Sequence, residues 1–253
     1  MSTRDATPTQ FVVLASARTG SNMLVSLLDQ HPQVRCVGEA FNPQSSFGYQ
    51  RWVARTGLRR LVSRFANDYC VTEYLASLLS TREKPGARAV GYKVIYPGQF
   101  DRWTGFRCHW RTHDVKIINL VRHNLLRKYV SAQIASADDK WSAREARAQA
   151  ARITIRVDDL EQHFARSETI YRLMETLTVE FRGIRISYED LSSSRVPTMT
   201  RVLEYIGVDT GDAGSMAPAT IRQNPAPLAE LVENFDELCA ALRDTPYASF
   251  LES

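Results

Sequence analysis

"FVVLASARTGSNMLVSLLDQHP", residues 11–32, changes its periodicity halfway along, and that change decides the fold. Residues 11–15 are a short β-branched and aromatic run without polar alternation, the pattern of a strand buried in a parallel sheet. Gly20 interrupts a small, polar stretch, after which Leu24, Leu27 and Leu28 share one helical face. Strand, tight loop and helix therefore follow in order. The order recurs along the chain. "RAVGYKVIY" (88–96) reads as a strand ending before Pro97. "VKIINLV" (115–121) reads as a central strand followed by Arg122 and a helical stretch over 124–137, and "GIRISYEDL" (183–191) as a strand passing into a loop. Residues 143–181, rich in Ala, Glu and Arg with few breakers, predict one or two long helices with solvated charges. This alternation predicts an α/β fold with a central, mostly parallel sheet flanked by helices.

The rest of the chain is punctuated more weakly. Residues 1–10 form a loose lead-in, and "LSSSRVP" (191–197) is a turn before a further helix. "DTGDAGSMAPAT" (209–220) is a flexible connector by composition, expected to order when ligand binds, and a terminal helix begins near Leu228. A length of 253 residues allows one substantial core and predicts a single domain. With 44% hydrophobic and 24% charged residues, the composition is that of a soluble globular protein. Lys and Arg number 32 against 28 Asp and Glu, a net charge of +4. That excess does not call for nucleic acid, but suits a pocket for a small, highly charged anion. Cys36, Cys70, Cys108 and Cys239 are widely spaced and contain no CxxC, so reduced thiols are expected. No apolar run has membrane-spanning length and no hydrophobic signal region opens the chain, which makes a cytoplasmic protein the expectation.

The loop after the first strand is built for an anion. Amides near Arg18, Thr19, Gly20 and Ser21 converge with the first unpaired amides of the helix, and the helix dipole favours negative charge there. Arg18 adds an ionic fork, Thr19 and Ser21 add hydroxyls, and Gly20 permits close backbone approach. Simple capping of the helix by the same polar residues is the alternative. Neither GxxxxGK[ST] nor GxGxxG is present.

"SARTGSNML" followed by "LLDQHPQVRCVGEAF" resembles the opening of the sulfotransferases that use 3′-phosphoadenosine-5′-phosphosulfate (PAPS), among them tyrosylprotein, carbohydrate and bacterial glycolipid enzymes. The resemblance implies a P-loop-like three-layer sulfotransferase fold. It places Arg18, Thr19, Gly20, Ser21 and Asn22 around the 5′-phosphosulfate, Asn22 standing where many members have Thr. "INLVRHNLLRKYVSAQIA" is similar to the family's 3′-phosphate site, which makes Arg122 and Ser131 the contacts to that group. Arg122 also follows an apolar strand, where ligands bind beyond the carboxyl edge of an open α/β sheet. Arg127, four residues before Ser131, either assists or is solvated. "IRQNPAPLAELVENFDEL" resembles the nucleotide-covering segment and gives Arg222 to the 3′-phosphate, with Gln223 and Asn224 either ordering the connector or entering the helix.

Transfer requires a base, and Glu39 in "VGEAF" resembles the family's carboxylate base. A carboxylate against an apolar wall is expected to hold its proton more tightly, which suits a general base. His31 is a second chemical candidate, although "HP" after a helix also serves as a turn or cap. Arg18 is expected to stabilise charge on the departing 3′-phosphoadenosine-5′-phosphate (PAP). Lys93 either approaches the transferred group or is an exposed strand-end lysine. His109 and His113 have i,i+4 spacing without the rest of a zinc motif, so no metal is expected. Trp52, Trp103 and Trp110 either stack on a sugar or pack in the core. The expected ligands are PAPS, with PAP as product, and a hydroxyl-bearing carbohydrate, glycolipid or other metabolite. A tyrosyl peptide is the alternative acceptor, and a homodimer is one assembly that the sequence leaves open. A nucleotide phosphotransferase and a non-catalytic nucleotide sensor remain as other functions.

Overall fold

The computed structural model describes residues 7–42, 49–56, 66–99, 105–137, 152–219 and 224–252. Strands β1 (Thr9–Ala15), β2 (Val34–Glu39), β3 (Ala89–Ile95), β4 (Lys116–Val121) and β5 (Ile184–Ser187) form one sheet in the order β2-β3-β1-β4-β5. Every pairing is parallel. Helices α1 (Ser21–Gln30), α2 (Tyr49–Thr56), α3 (Ala66–Leu78), α4 (Gly105–Thr112), α5 (Leu125–Ala137) and α6 (Leu160–Glu180) cross between strands. They are followed by α7 (Tyr188–Ser193), α8 (Arg195–Ile206), α9 (Leu228–Leu231) and α10 (Phe235–Leu242).

The unalternating apolar run of β1 is explained by burial on both faces. Phe11, Val13 and Ala15 pack with Leu24, Leu27 and Leu28 of α1 and Met199, Val202 and Leu203 of α8. Val12 and Leu14 face the opposite layer, with Tyr74 and Leu75 of α3, Phe106 and Trp110 of α4 and Met174 of α6. A third cluster joins α5, the start of α6 and the C-terminal helices. Three layers result, with hydrophobic burial on both sides of the sheet as the main driving force.

Several expectations are corrected. β2 was not expected, because Arg35 and Gly38 dilute its apolar pattern. Arg35 is nevertheless buried, donating to the Leu78 carbonyl and, at 2.5 Å, to Glu83 Oε2. The loop expected within 183–191 is instead the start of α7. Ser187 Oγ accepts from the Asp190 amide at 2.9 Å, and Glu189 and Asp190 place negative charge in the first turn. The long-helix expectation holds over Leu160–Glu180, while Ile153 bridges to Val232 and residues 143–151 lie outside the described residues. The connector is seated rather than loose: Gly211–Gly214 is a 3₁₀ turn, and Ala213 and Met216 are buried against the α1 layer.

The sheet order positions a site. From β1 the chain runs towards β2 on one side, and from β4 towards β5 on the other. The turns after β1 and β4 therefore diverge and leave a crevice at the carboxyl edge.

Candidate active site

Gly20 caps α1 with left-handed backbone, φ 81° and ψ 16°. Arg18 is also left-handed, at φ 65°. This turn brings the loop over the end of α1, where the amides of Ser21 and Asn22 have no acceptor within the helix. A Cβ on Gly20 would lie 2.4 Å from Cδ2 of Tyr188. Gly20→Ala is therefore expected to destabilise the fold by about 2 kcal/mol through backbone strain and overpacking, read by thermal unfolding. Thr19 is fully buried and its hydroxyl donates to the Ser16 carbonyl at 2.8 Å, so that side chain braces the loop. Ser21, buried, is the first residue of α1.

The two segments expected to hold the anionic groups meet. Arg18 donates through Nε at 3.0 Å and Nη2 at 2.8 Å to Oγ of Ser131, which lies 113 residues further along the chain. Arg122 Nη1 donates to the Arg18 carbonyl at 3.3 Å. The Arg122 backbone is pinned by one hydroxyl, since Tyr171 Oη accepts from its N–H at 3.1 Å and lies 3.2 Å from its carbonyl oxygen. The Arg122 guanidinium carbon sits 4.6 Å from the ring centroid of Tyr188. Beside it on α5, Lys128 is buried, donates to Ser167 Oγ at 3.2 Å and lies 4.9 Å from the Tyr171 ring centroid. Burial, and then the charge of Arg122, lower Lys128 to about 8. Arg18, Arg122 and Ser131 thus form a cationic, hydroxyl-bearing wall suited to phosphate oxygens.

Glu39 and Lys93 meet through a register shift. Val37 pairs with Tyr92 and Glu39 with Lys93, leaving Gly38 as an extra residue in β2. In regular alternation Glu39 would share the face of Val37; the bulge turns it to the face that carries α1. Lys93 Nζ lies 2.9 Å from Glu39 Oε1, with side-chain exposures of 2% and 27%, and also donates to Asn22 Oδ1. Glu39 Oε2 accepts from Asn42 Nδ2 at 2.8 Å and Gln99 Nε2 at 3.0 Å. Gln99 is itself held by the Ile95 amide, 3.1 Å from its Oε1. Burial alone would raise the Glu39 proton affinity, but the Lys93 charge and the bonds from Lys93, Asn42 and Gln99 outweigh it. The carboxyl therefore ionises below its ordinary range, correcting the expected rise. Lys93 is not an exposed strand-end lysine; it links Glu39 to the start of α1 through Asn22.

Other candidates have different places. His31 is buried, with Nδ1 accepting from the Gln33 amide at 3.1 Å and Nε2 2.9 Å from the Asp209 carbonyl. Nε2 thus joins the end of α1 to the 209–219 segment while Nδ1 holds the local turn, so both ring nitrogens of the second candidate base are engaged in structural contacts. Arg127 is buried rather than solvated, and its Nη1 donates to the Ala226 carbonyl at 2.8 Å, drawing the C-terminal segment against α5. Trp110 is fully buried and donates to Tyr92 Oη at 2.9 Å, while Trp52 packs against the same core. The aromatic surface of Trp110 belongs wholly to the layer, and Trp52 is partly buried against it. His109 is buried with Nε2 3.2 Å from Gln10 Oε1, and burial, then the neighbouring His113, lower it to about 4. Among the described residues, no three His, Cys, Asp or Glu side chains gather as a metal-holding group, and no helix is long and apolar enough to cross a membrane. Arg222, Gln223 and Trp103 lie outside the described residues. Gln99, Tyr171, Tyr188 and Glu189 were missed because only sheet register and strand order bring them to the site, and Asn42 because the turn that carries it back to Glu39 has no distinctive pattern.

No family model matches the chain. Nodulation protein H of Rhizobium tropici is 27% identical over 247 residues, spanning 97% of this chain and 94% of its own. Nodulation protein H of Rhizobium meliloti is 25% identical over 250 residues, spanning 97% and 96%. The structure of mouse sulfotransferase SULT7A1 complexed with PAP superimposes with a TM-score of 0.50 at 14% identity, over 98% of this chain and 89% of that one. The chain has the α/β sulfotransferase fold, a parallel sheet flanked by helices, and its nodulation protein H relatives align along nearly its whole length.

Proposed function

We propose that the protein transfers a sulfuryl group from PAPS to a hydroxyl of a carbohydrate, glycolipid or other small metabolite, directly and in line. The observation that carries this reading is the contact of Arg18 with Ser131, which joins the loop after β1 to α5 beside Arg122. A donor with phosphate at both ends of one ribose fits such a pair of cationic segments better than a mononucleotide does. The left-handed Gly20 turn supplies close backbone approach at one end, and Arg122 with Ser131 supplies the fork and hydroxyl at the other.

PAPS supplies an activated sulfuryl group whose bridging oxygen leaves with PAP. Glu39 is the group that takes the acceptor proton as the acceptor oxygen bonds to sulfur and the bridging sulfur–oxygen bond breaks. Asn42 and Gln99 hold the carboxylate on one oxygen while Lys93 holds the other. Lys93, bonded to Asn22 in the first turn of α1, presents a dry positive charge between base and donor, and Arg18 meets charge developing on the departing phosphate. The chain itself provides no covalent nucleophile in this reading.

The test supplies PAPS labelled in the sulfuryl group with a panel of saccharides, glycolipids and tyrosyl peptides. Label should move to a saccharide or other metabolite hydroxyl with one PAP released per transfer. Transfer to tyrosyl peptide alone would replace the acceptor class, and PAP binding without transfer to any acceptor would replace the enzyme with a nucleotide-binding protein.

A further inference from the structure

We propose that Glu189 is a positioning residue that sets Arg122 to read the 3′-phosphate, an inference that rests on the donor reading above. Arg122 is the first residue beyond β4, and the two amides that follow it are both held by one side chain. The His123 N–H lies 3.1 and 3.0 Å from the two carboxylate oxygens of Glu189, and the Asn124 N–H lies 3.2 Å from Oε1. Such charge-assisted bonds to consecutive amides fix the direction in which the chain turns from strand to helix. Glu189 is itself fixed, because it lies in the first turn of α7, which Ser187 caps.

The carboxylate also has an electrostatic effect. It fills the entrance to α5, where a helix would otherwise offer amides and a positive dipole end to an anion. A phosphate arriving at this edge is therefore directed to the side chains of Arg122 and Ser131, not to the helix terminus. The neighbouring Tyr188 completes the device. Its ring packs against Gly20 on the anion loop and lies under the Arg122 guanidinium, 4.6 Å from centroid to carbon. One dipeptide at the end of β5 thus spaces the 5′ loop from the 3′ arginine, the dimension that distinguishes a 3′,5′-bisphosphorylated nucleotide from a 5′-monophosphate.

The test is calorimetric affinity for PAP and for adenosine 5′-phosphate in the wild type, Glu189→Ala, Glu189→Gln, Arg122→Ala and the Arg122→Ala, Glu189→Ala double variant, with thermal unfolding as a control. Glu189→Ala should reduce the preference for PAP about tenfold, leave adenosine 5′-phosphate binding nearly unchanged, and have no further effect once Arg122 is gone. Glu189→Gln, which keeps one acceptor oxygen and the side-chain volume, should restore part of the preference. An unchanged preference in the folded Ala or Gln variant, or an equal loss of both nucleotides, would overturn the positioning role. An equal loss with and without Arg122 would do the same. A wild type that does not prefer PAP would instead overturn the donor reading, and the proposal with it.

Discussion

Glu39→Gln is expected to lower the transfer rate by about 10²- to 10⁴-fold while leaving PAP affinity nearly unchanged, the range for loss of a general base that acts on acceptor and not on donor. The carboxamide matches the carboxylate in volume and keeps an acceptor oxygen, so the surrounding Asn42 and Gln99 stay in place. What disappears is the negative charge that receives the proton. The same change leaves Lys93 buried without its ion-pair partner, so a lower unfolding temperature accompanies the rate loss. Single-turnover transfer on folded protein separates the two effects. A rate within about threefold of wild type would remove Glu39 from the chemistry.

Lys93→Met is expected to be the next largest change, lowering the rate by about 10²- to 10³-fold, because a buried ammonium beside the transferred group is worth more than an exposed one. Methionine keeps the length and apolar stem, which limits the packing loss. The variant also has a pH signature whose sign is fixed. In the wild type, burial raises the Glu39 proton affinity, but the Lys93 charge and the hydrogen bonds reverse it, so the basic form persists below the ordinary carboxylate range. Without the ammonium, the same burial acts against fewer opposing interactions, and Glu39 takes up a proton at higher pH. The acid limb of the rate profile therefore moves upward in Lys93→Met. The linked stability follows the same group: the contribution of Glu39 is present above its ordinary value and lost as pH falls through the lowered folded one. A rate loss with an unmoved acid limb would separate Lys93 from Glu39.

The sequence made the strand–loop–helix units legible where one side chain type repeats. β1 and β4 are runs of apolar residues buried from both sides, and the leucines of α1 recur at helical spacing. β2 escaped because a buried Arg35 reads as an exposed charge until Leu78 and Glu83 are brought to it by the fold. α7 escaped because it begins directly after the last residue of β5, although Ser187 and Asp190 carry the spacing of a cap. Arg18, Arg122 and Ser131 were legible as motif residues. Their direct contact was not, because it depends on β1 and β4 lying side by side. Glu39 was legible by type and wrong in its expected proton affinity, since a one-residue bulge at Gly38 decides that it faces Lys93. Gln99, 60 residues from Glu39, and Glu189, 66 residues from His123, leave no local signal of their roles.

In the proposed function, the crevice between β1 and β4 reads a nucleotide with phosphate at both its 3′ and 5′ positions. Calorimetric titration of PAP beside adenosine 5′-phosphate and ATP, with Arg122→Ala as the paired protein, tests it most directly. PAP should bind more tightly than either nucleotide by at least about tenfold, and Arg122→Ala should abolish that preference, as expected for loss of a charge-assisted phosphate contact. Equal binding of the three nucleotides, or a PAP preference that survives Arg122→Ala in folded protein, would contradict the account.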